Sequence, residues 1–285
     1  MIILDGKKLN NEIAEKLKKQ IEESGVVPTL AIIQIGAIEE SNIYIKHKKA
    51  FADKIGAKVS HIILPLDTQE ADVLQNINEL NNNQGVDGII LQLPIPEHLD
   101  KRKLIESIDP KKDVDGLHSV NQSKIFQGDD SGIIPATPKG VMSLLREYKV
   151  SLEGKRVAVV GRSLLVGRPM AMLLLKENAT VTIAHSKTLN LKDIIKESDI
   201  VVVAVGKAGI VTKEMVKEGQ IIVDVGTNSV VGKTLEEVEA RKLVGDVVFD
   251  DVKDVVSMIS PVPGGVGPMT VASLFENLAE VSLKK

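Results

Sequence analysis

The sequence predicts an α/β protein in two domains. Strand-length apolar runs rich in β-branched residues alternate with helical patterns along most of the chain, as in βαβ units that share a parallel sheet. An irregular stretch, residues 109–136, separates two such series. At roughly 150 residues per domain, a chain of 285 residues holds one large domain or two ordinary ones, and the two series favour two.

The elements run in order along the chain. Pro28–Ile35 reads as a buried strand, Glu39–Ile55 as a helix and Lys58–Leu64 as a strand. Thr68–Asn81 is helical, and Val86–Gln92 is a further strand. Pro94, Pro96 and Pro110 punctuate the next segment, and the long irregular stretch reads as a functional loop. The second series opens with a helix over Thr137–Tyr148, with Thr137 as N-cap and Pro138 in the first turn. Arg156–Val160 is a strand, Leu165–Glu177 a helix, Thr180–Ala184 a strand and Leu191–Glu197 a helix. Ile200–Val205, Ile221–Val225 and Gly245–Phe249 read as strands, and Met269–Leu283 as the closing helix. The expected division is 1–136 and 137–267.

Composition excludes several classes of function. There is no cysteine, so disulfides, thiolate metal sites and cysteine nucleophiles are absent. No metal site is expected. Aromatics are 2%, with two tyrosines and no tryptophan, too few for base-stacking platforms. The net charge of −3 gives no reason to expect nucleic acid or an anionic membrane as partner. An Asp, a Gly and two lysines within the first eight residues interrupt any apolar export signal, and apolar runs are far shorter than a membrane span. A cytoplasmic protein is expected.

In the second half, Lys155-Arg-Val-Ala-Val-Val-Gly-Arg-Ser-Leu-Leu-Val-Gly-Arg-Pro169 is strand, glycine turn, helix. Gly161 permits the tight turn, and the amides beyond it can meet a pyrophosphate at the helix N-terminus. The spacing is not G-x-G-x-x-G: Ser163 replaces the second glycine, and Gly167 comes late. An acid on the next strand's end would bond a ribose 2′-hydroxyl. Here that end reads Ile183-Ala-His-Ser-Lys-Thr188, without an acid. His185, Ser186 and Lys187, with Arg162 and Ser163, suit a 2′-phosphate, which favours NADP over NAD. The other reading is of ordinary polar loop residues. Gly206 and Gly226-Thr227-Asn228 end later strands at the carboxyl edge, where such sheets bind ligands.

In the first half, Tyr44 and Lys48 are four apart on one helix face. Burial pushes a lysine below its ordinary range and makes it a usable base. The alternative is a solvated lysine run with one core tyrosine. Gln92 closes a buried strand, and Asp115 precedes Gly116 in the long loop, as a turn former or as a binder of N–H donors. Pro263-Gly-Gly-Val-Gly-Pro268 lets backbone approach a ligand closely, although glycine turns also precede many helices.

Together these segments resemble the bifunctional methylenetetrahydrofolate dehydrogenase/cyclohydrolase family, the FolD type. The motifs are Ser41…Tyr44…Lys48, Val86-Asp-Gly…Gln92-Leu-Pro-Ile-Pro96, Lys112-Asp-Val-Asp-Gly-Leu117, Thr137-Pro138, Gly161-Arg-Ser163 with Val166-Gly167, His185-Ser186, and Pro263-Gly-Gly-Val-Gly-Pro-Met-Thr270. The resemblance implies oxidation of 5,10-methylenetetrahydrofolate with NADP, then hydrolysis of the methenyl cation to 10-formyltetrahydrofolate. It implies that Lys48 assists proton transfer in hydrolysis, that Tyr44 shapes the site, that Gln92 tunes Lys48 and that Asp115 holds the pterin. Leu93, Pro263, Gly264 and Gly265 would line the folate pocket. Gly161, Arg162, Ser163, Gly167, His185, Ser186, Gly206 and Thr227 would face NADP. It further implies two domains around a cleft, the C-terminal one of Rossmann type. They would be joined by the Thr137–Tyr148 helix and the C-terminal helix 268–285, which would complete the first domain. A homodimer would form through the cofactor domain.

Three positions depart from the family pattern. Ala136 replaces a usual cysteine, Glu39-Glu-Ser41 replaces Asp-Pro-Ala-Ser, and Arg168 stands where a small residue is usual. The alternatives are a dehydrogenase without cyclohydrolase activity or with an NAD preference, and a non-catalytic NADP-binding protein. Tyr44, Lys48, Gln92 and Asp115 together argue against the first and the last.

Overall fold

The computed structural model describes residues 1–233 and 239–284. The chain opens with β1 (Ile2–Ile3), α1 (Gly6–Ser24), β2 (Thr29–Ile35), α2 (Glu39–Ile55), β3 (Lys58–Leu64), α3 (Glu70–Asn82) and β4 (Gly88–Leu91). It continues through α4 (Lys101–Glu106), α5 (Ser119–Gln127), α6 (Ala136–Glu147), β5 (Arg156–Val160), α7 (Gly167–Lys176), β6 (Thr180–Ala184), α8 (Leu191–Glu197) and β7 (Ile200–Val203). It ends with β8 (Ile221–Asp224), β9 (Asn228–Lys233), β10 (Glu239–Val244), α9 (Phe249–Val252), β11 (Met258–Ile259) and α10 (Val266–Ser282).

The chain divides into two units. The first comprises Asn11–Ala136 with Val271–Lys285. It holds a parallel sheet in the order β3-β2-β4. The central strand β2 is buried from Leu30 to Ile35, which suits an apolar run covered on both faces. Ile33, Ile77, Ile89 and Leu104 are fully buried in its core. The C-terminal helix packs here as well: Phe275 on α10 meets Phe51 on α2 with ring centroids 5.2 Å apart. Gly88 is glycine because a Cβ there would lie within 2.8 Å of Val114 and Leu278 side-chain carbons.

The second unit comprises Met1–Asn10 with Thr137–Thr270. Its six-stranded sheet runs β1-β11-β8-β7-β5-β6, with every pairing parallel. Val160, Val201, Ile222 and Val252 lie in its core. β9 and β10 form a separate antiparallel hairpin. Tyr148, the second tyrosine, accepts the Asp5 backbone amide on its hydroxyl at 2.8 Å.

Five expectations are corrected. Residues 1–10 group with the second unit, because β1 pairs with β11 at the edge of its sheet. The unit boundary falls inside α1 and α10 and one residue into α6, so α1 crosses it as well. The stretch 109–136 is not irregular throughout, since it contains α5, capped by the His118 ring accepting Val120 N–H and closed by left-handed Gly128. Gly245–Phe249 is not a strand. Val247 makes one isolated bridge to Val211, and its amide donates to the Asp224 carboxylate at 2.9 Å instead of to a neighbouring strand. Thr137 lies inside α6, not at its N-cap, and its hydroxyl pairs with that of Thr270 at 3.1 Å.

Candidate active site

The first unit brings Lys48, Gln92 and Asp115 together. Lys48 lies on α2, which ends at Gly56 in the left-handed conformation. Gln92 comes directly after β4, and its amide donates to Ile33 O at 2.8 Å, extending the ladder with β2. The Lys48 ammonium donates to Gln92 Oε1 at 2.8 Å. Gln92 Nε2 in turn donates to the Leu93 carbonyl at 2.8 Å. That second bond fixes which end of the amide faces the lysine. Lys48 is partly buried, and desolvation lowers its pKa while the charge of Asp115 raises it. Burial raises the pKa of Asp115, and Lys48 opposes that shift. Each group thus offsets part of the other's cost of desolvation. Tyr44 shares the α2 face with Lys48 and is 40% exposed. It is therefore not a core residue.

Asp115 sits in a loop anchored at nearly every residue. The Lys112 ammonium caps the C-terminus of α3, donating to the carbonyls of Leu80, Asn81 and Asn83 at 2.8–3.0 Å. Asp113 accepts from His118 N and Asn121 Nδ2 through one oxygen, at 2.8 and 2.9 Å. Burial pushes the Asp113 carboxyl up to about 6 against the pull of those bonds. The Val114 carbonyl is held by Asn277 Nδ2 of α10 at 2.9 Å, and the Gly116 carbonyl by Gln122 at 2.8 Å. Gly116 is left-handed, with backbone atoms of residues 133–135 where a Cβ would go. A second chain of bonds ties the start of α2 to the sheet. Lys49 Nζ meets His61 Nδ1 at 3.1 Å, His61 Nε2 donates to Gln34 at 2.8 Å, and Gln34 Nε2 donates to Asn42 at 2.9 Å. Sequence reading missed this chain, because no local pattern links Gln34 to His61.

The second unit gathers the residues expected at a cofactor. Register places Val160 beside Ala184 and Val203, and Val203 beside Asp224. Gly161–Ser163, His185–Ser186, Gly206 and Thr227 therefore leave the sheet at one carboxyl edge. Gly161 adopts φ +130, and a Cβ on it would lie 2.2 Å from the Ala204 carbonyl oxygen. A Cβ on Gly167 would lie 2.2 Å from the Gly161 carbonyl oxygen, so α7 starts against the turn itself. Ser163 Oγ accepts from the amides of Val166 and Gly167 at 3.1 and 3.4 Å and caps α7. His185 Nδ1 accepts from Lys187 N at 3.1 Å. Arg162, Ser186 and Thr227 are exposed at this edge. The close glycine turn with adjacent Arg and Ser side chains fits a phosphate-bearing dinucleotide.

Pro263, Gly264 and Gly265 also lie in the second unit. Gly264 adopts φ +110, and its carbonyl accepts from Lys7 N at 3.0 Å. A Cβ on Gly6 would lie 1.9 Å from the Gly265 carbonyl oxygen. Within this unit the turn is approached closely by protein backbone, that of α1. Among the described residues, no helix is long and apolar enough to cross a membrane.

Comparison with known proteins agrees with this geometry. Residues 4–115 match the family profile "Tetrahydrofolate dehydrogenase/cyclohydrolase, catalytic domain", and residues 135–285 match the "NAD(P)-binding domain" profile of the same family. The chain is 48% identical to the bifunctional protein FolD of Methanospirillum hungatei over 281 residues, covering 99% of this chain and 97% of that one. The crystal structure of the bifunctional FolD dehydrogenase/cyclohydrolase from Campylobacter jejuni is 41% identical with a TM-score of 0.92, covering 100% of this chain and 99% of that one. The Trypanosoma brucei enzyme, solved with NADP cofactor and inhibitor, is 35% identical with a TM-score of 0.93, covering 100% of this chain and 97% of that one. The chain belongs to the tetrahydrofolate dehydrogenase/cyclohydrolase family.

Proposed function

We propose that this chain carries both activities of its family. It oxidises 5,10-methylenetetrahydrofolate with NADP, then hydrolyses the resulting methenyl cation to 10-formyltetrahydrofolate. The Lys48–Gln92 bond beside Asp115 carries the reading. A lysine with a lowered pKa, held by a neutral acceptor within the field of a carboxylate, can take a proton and give it back. NADP, when bound, accepts the hydride. The protein's part in that step is positioning and exclusion of water.

In hydrolysis, water adds to the electrophilic methenyl carbon and loses a proton. Lys48 Nζ in its neutral form accepts that proton and returns it to the folate nitrogen that departs as its C–N bond breaks; the remaining hydroxyl proton leaves to solvent as the formyl C=O forms, so that one proton is released overall. Gln92 holds Nζ in place, and Asp115 binds the N–H donors of the pterin. Tyr44 and Leu93 of the first unit are assigned to folate, and so, by motif alone, is the Pro263-Gly264-Gly265 turn of the second. Gly161, Arg162, Ser163, Gly167, His185, Ser186, Gly206 and Thr227 form the NADP site. Ser163 and Gly167 act there chiefly by building the turn, as the helix-capping bond and the close Gly161–Gly167 approach support.

The deciding experiment tracks nicotinamide and methenyl absorbance together, with methylenetetrahydrofolate and either NADP or NAD. Reduction of NADP with transient methenyl absorbance is expected. Persistent methenyl would indicate a dehydrogenase alone, and faster reduction of NAD would overturn the cofactor assignment. The chain is further proposed to be cytoplasmic and to dimerise through its second unit. β6 ends that unit's sheet and leaves Ile183 at 38% and Leu175 of α7 at 56% exposure, an open edge of the kind proteins usually cover. A monomeric mass by light scattering at micromolar concentration would refute the dimer.

A further inference from the structure

Two buried carboxylates in the second unit take no part in this chemistry. Asp224 ends β8 and is 3% exposed; Asp246 lies beyond β10 and is fully buried. Among the described residues, the side-chain oxygens of both are held by amides. Asp246 Oδ2 accepts from Val205 N at 2.7 Å and Gly206 N at 3.0 Å. Its Oδ1 accepts from Lys207 N at 2.8 Å and from Asn228 Nδ2 at 2.9 Å. Asp224 Oδ1 accepts from Gly226 N and Asp246 N, each at 3.0 Å, and its Oδ2 from Val247 N at 2.9 Å. Three successive amides, 205–207, thus converge on one carboxylate, which also grips the residue after Thr227.

The pair also explains the glycines around it. A Cβ on Gly226 would lie 2.2 Å from the Asp246 carboxyl carbon, and one on Gly245 would lie 1.8 Å from Asp224 Oδ2. Backbone pairing between β7 and β8 ends where Val225 N donates to Val203 O at 2.8 Å, and beyond that bond the Asp246 carboxylate links the loop after β7 to the loop after β8. Their separation is set by the Asp246 carboxylate. Gly206 and Thr227 are the cofactor-facing residues that these loops carry.

We infer that Asp246, locked by Asp224, is a positioning residue that sets the spacing of the Gly206 and Thr227 loops for the dinucleotide. This rests on the reading that those two residues face NADP. An asparagine at 246 keeps the shape but turns an amide N–H₂ toward backbone donors, so at least one donor loses its acceptor.

The test compares Asp246→Asn with Thr227→Asp, which places a like charge beside a phosphate-bearing cofactor. Three quantities are read: KM for NADP, kcat at saturating NADP, and hydrolysis of methenyltetrahydrofolate without nucleotide. Asp246→Asn is expected to raise KM for NADP about tenfold, equivalent to one poorly replaced charged hydrogen bond. Its kcat and its nucleotide-free hydrolysis should stay within about twofold of wild type, which a general loss of folded protein would not allow. Thr227→Asp should raise KM for NADP in the same way.

Unchanged KM in Asp246→Asn with raised KM in Thr227→Asp overturns the role of Asp246 alone. Unchanged KM in Thr227→Asp overturns the underlying cofactor reading. A proportional fall of both activities in Asp246→Asn makes Asp246 a residue of general stability and refutes the proposal. Should Asp246→Asn not fold, Asn228→Ala removes one donor to the same carboxylate. It should raise KM for NADP about threefold without changing hydrolysis, and an unchanged KM there is equally fatal.

Discussion

Lys48 must lose its charge to take a proton, and its surroundings set the pH at which it does so. Desolvation lowers its pKa and Asp115 raises it. The rate of methenyl hydrolysis should therefore rise with pH through the lysine's lowered pKa. Asp115→Asn removes the charge that favours the ammonium, so at saturating folate this limb should move to lower pH. A limb that stays in place or moves alkaline would show that another group titrates. Lys48→Met keeps bulk and removes the base, and should cut hydrolysis about 10²-fold or more while NADP binding persists. Hydrolysis at the wild-type rate would remove Lys48 from the mechanism. At the cofactor edge, Arg162→Ala and Ser186→Ala should each weaken NADP about tenfold and NAD by less than about twofold. Equal losses for both nucleotides would end the 2′-phosphate assignment. Every residue in these tests is legible in the sequence, because each sits in a short motif. Asp224 and Asp246 were not legible as sites: in the sequence each is one acid within a Val-rich, strand-like run.

At the scale of elements, the loop from Lys112 to Leu117 depends on helices far away in sequence. Asn277 on α10 is 2% exposed and donates to the carbonyls of Val114 and Ile134 at 2.9 and 2.8 Å. Asn277→Leu leaves both carbonyls without that donor. The loss should lower stability by about 2–4 kcal/mol in urea unfolding. It should also raise KM for folate, since Asp115 is the next residue after Val114. A stability change below about 0.5 kcal/mol would mean that water replaces the amide at no cost. β2, α2, β3, β5, β6 and α8 were legible in the sequence because their apolar periodicity is strong and local. α5 was not, since its nine residues carry only three apolar side chains. β1 and β11 are two residues long, and only their pairing makes them strands.

Across the whole molecule, buried carboxyls tilt stability with pH. Asp113 titrates near 6 rather than at its ordinary 3.8 because burial disfavours its charge. Between those values the native state binds the proton and the unfolded chain does not. Stability on this account falls as pH rises from about 4 to about 6, and the loss is complete above that window. The displacement from 3.8 to about 6 is equivalent to about 3 kcal/mol. Asp113→Asn keeps an oxygen for His118 N and Asn121 and removes the charge. Its unfolding free energy relative to wild type should be higher at pH 7 than at pH 4. A constant difference between the two proteins across that range would show that Asp113 is ionised in the native state throughout.

The residues offered to folate follow from the family resemblance of the motifs; the sequence by itself determined the alternating α/β pattern, the glycine turn after β5, the Tyr44–Lys48 face and the polar set suited to a 2′-phosphate. These are properties of neighbours along the chain, set by periodicity, propensity and spacing. Only the tertiary structure decided that Met1–Asn10 joins the second unit, that Val247 gives its amide to Asp224 instead of a strand, and that Asn277 holds the Asp115 loop. Those outcomes turn on hydrogen bonds between groups up to 258 residues apart. A buried donor or acceptor must find a partner wherever the fold places one, and no local pattern records which one it finds.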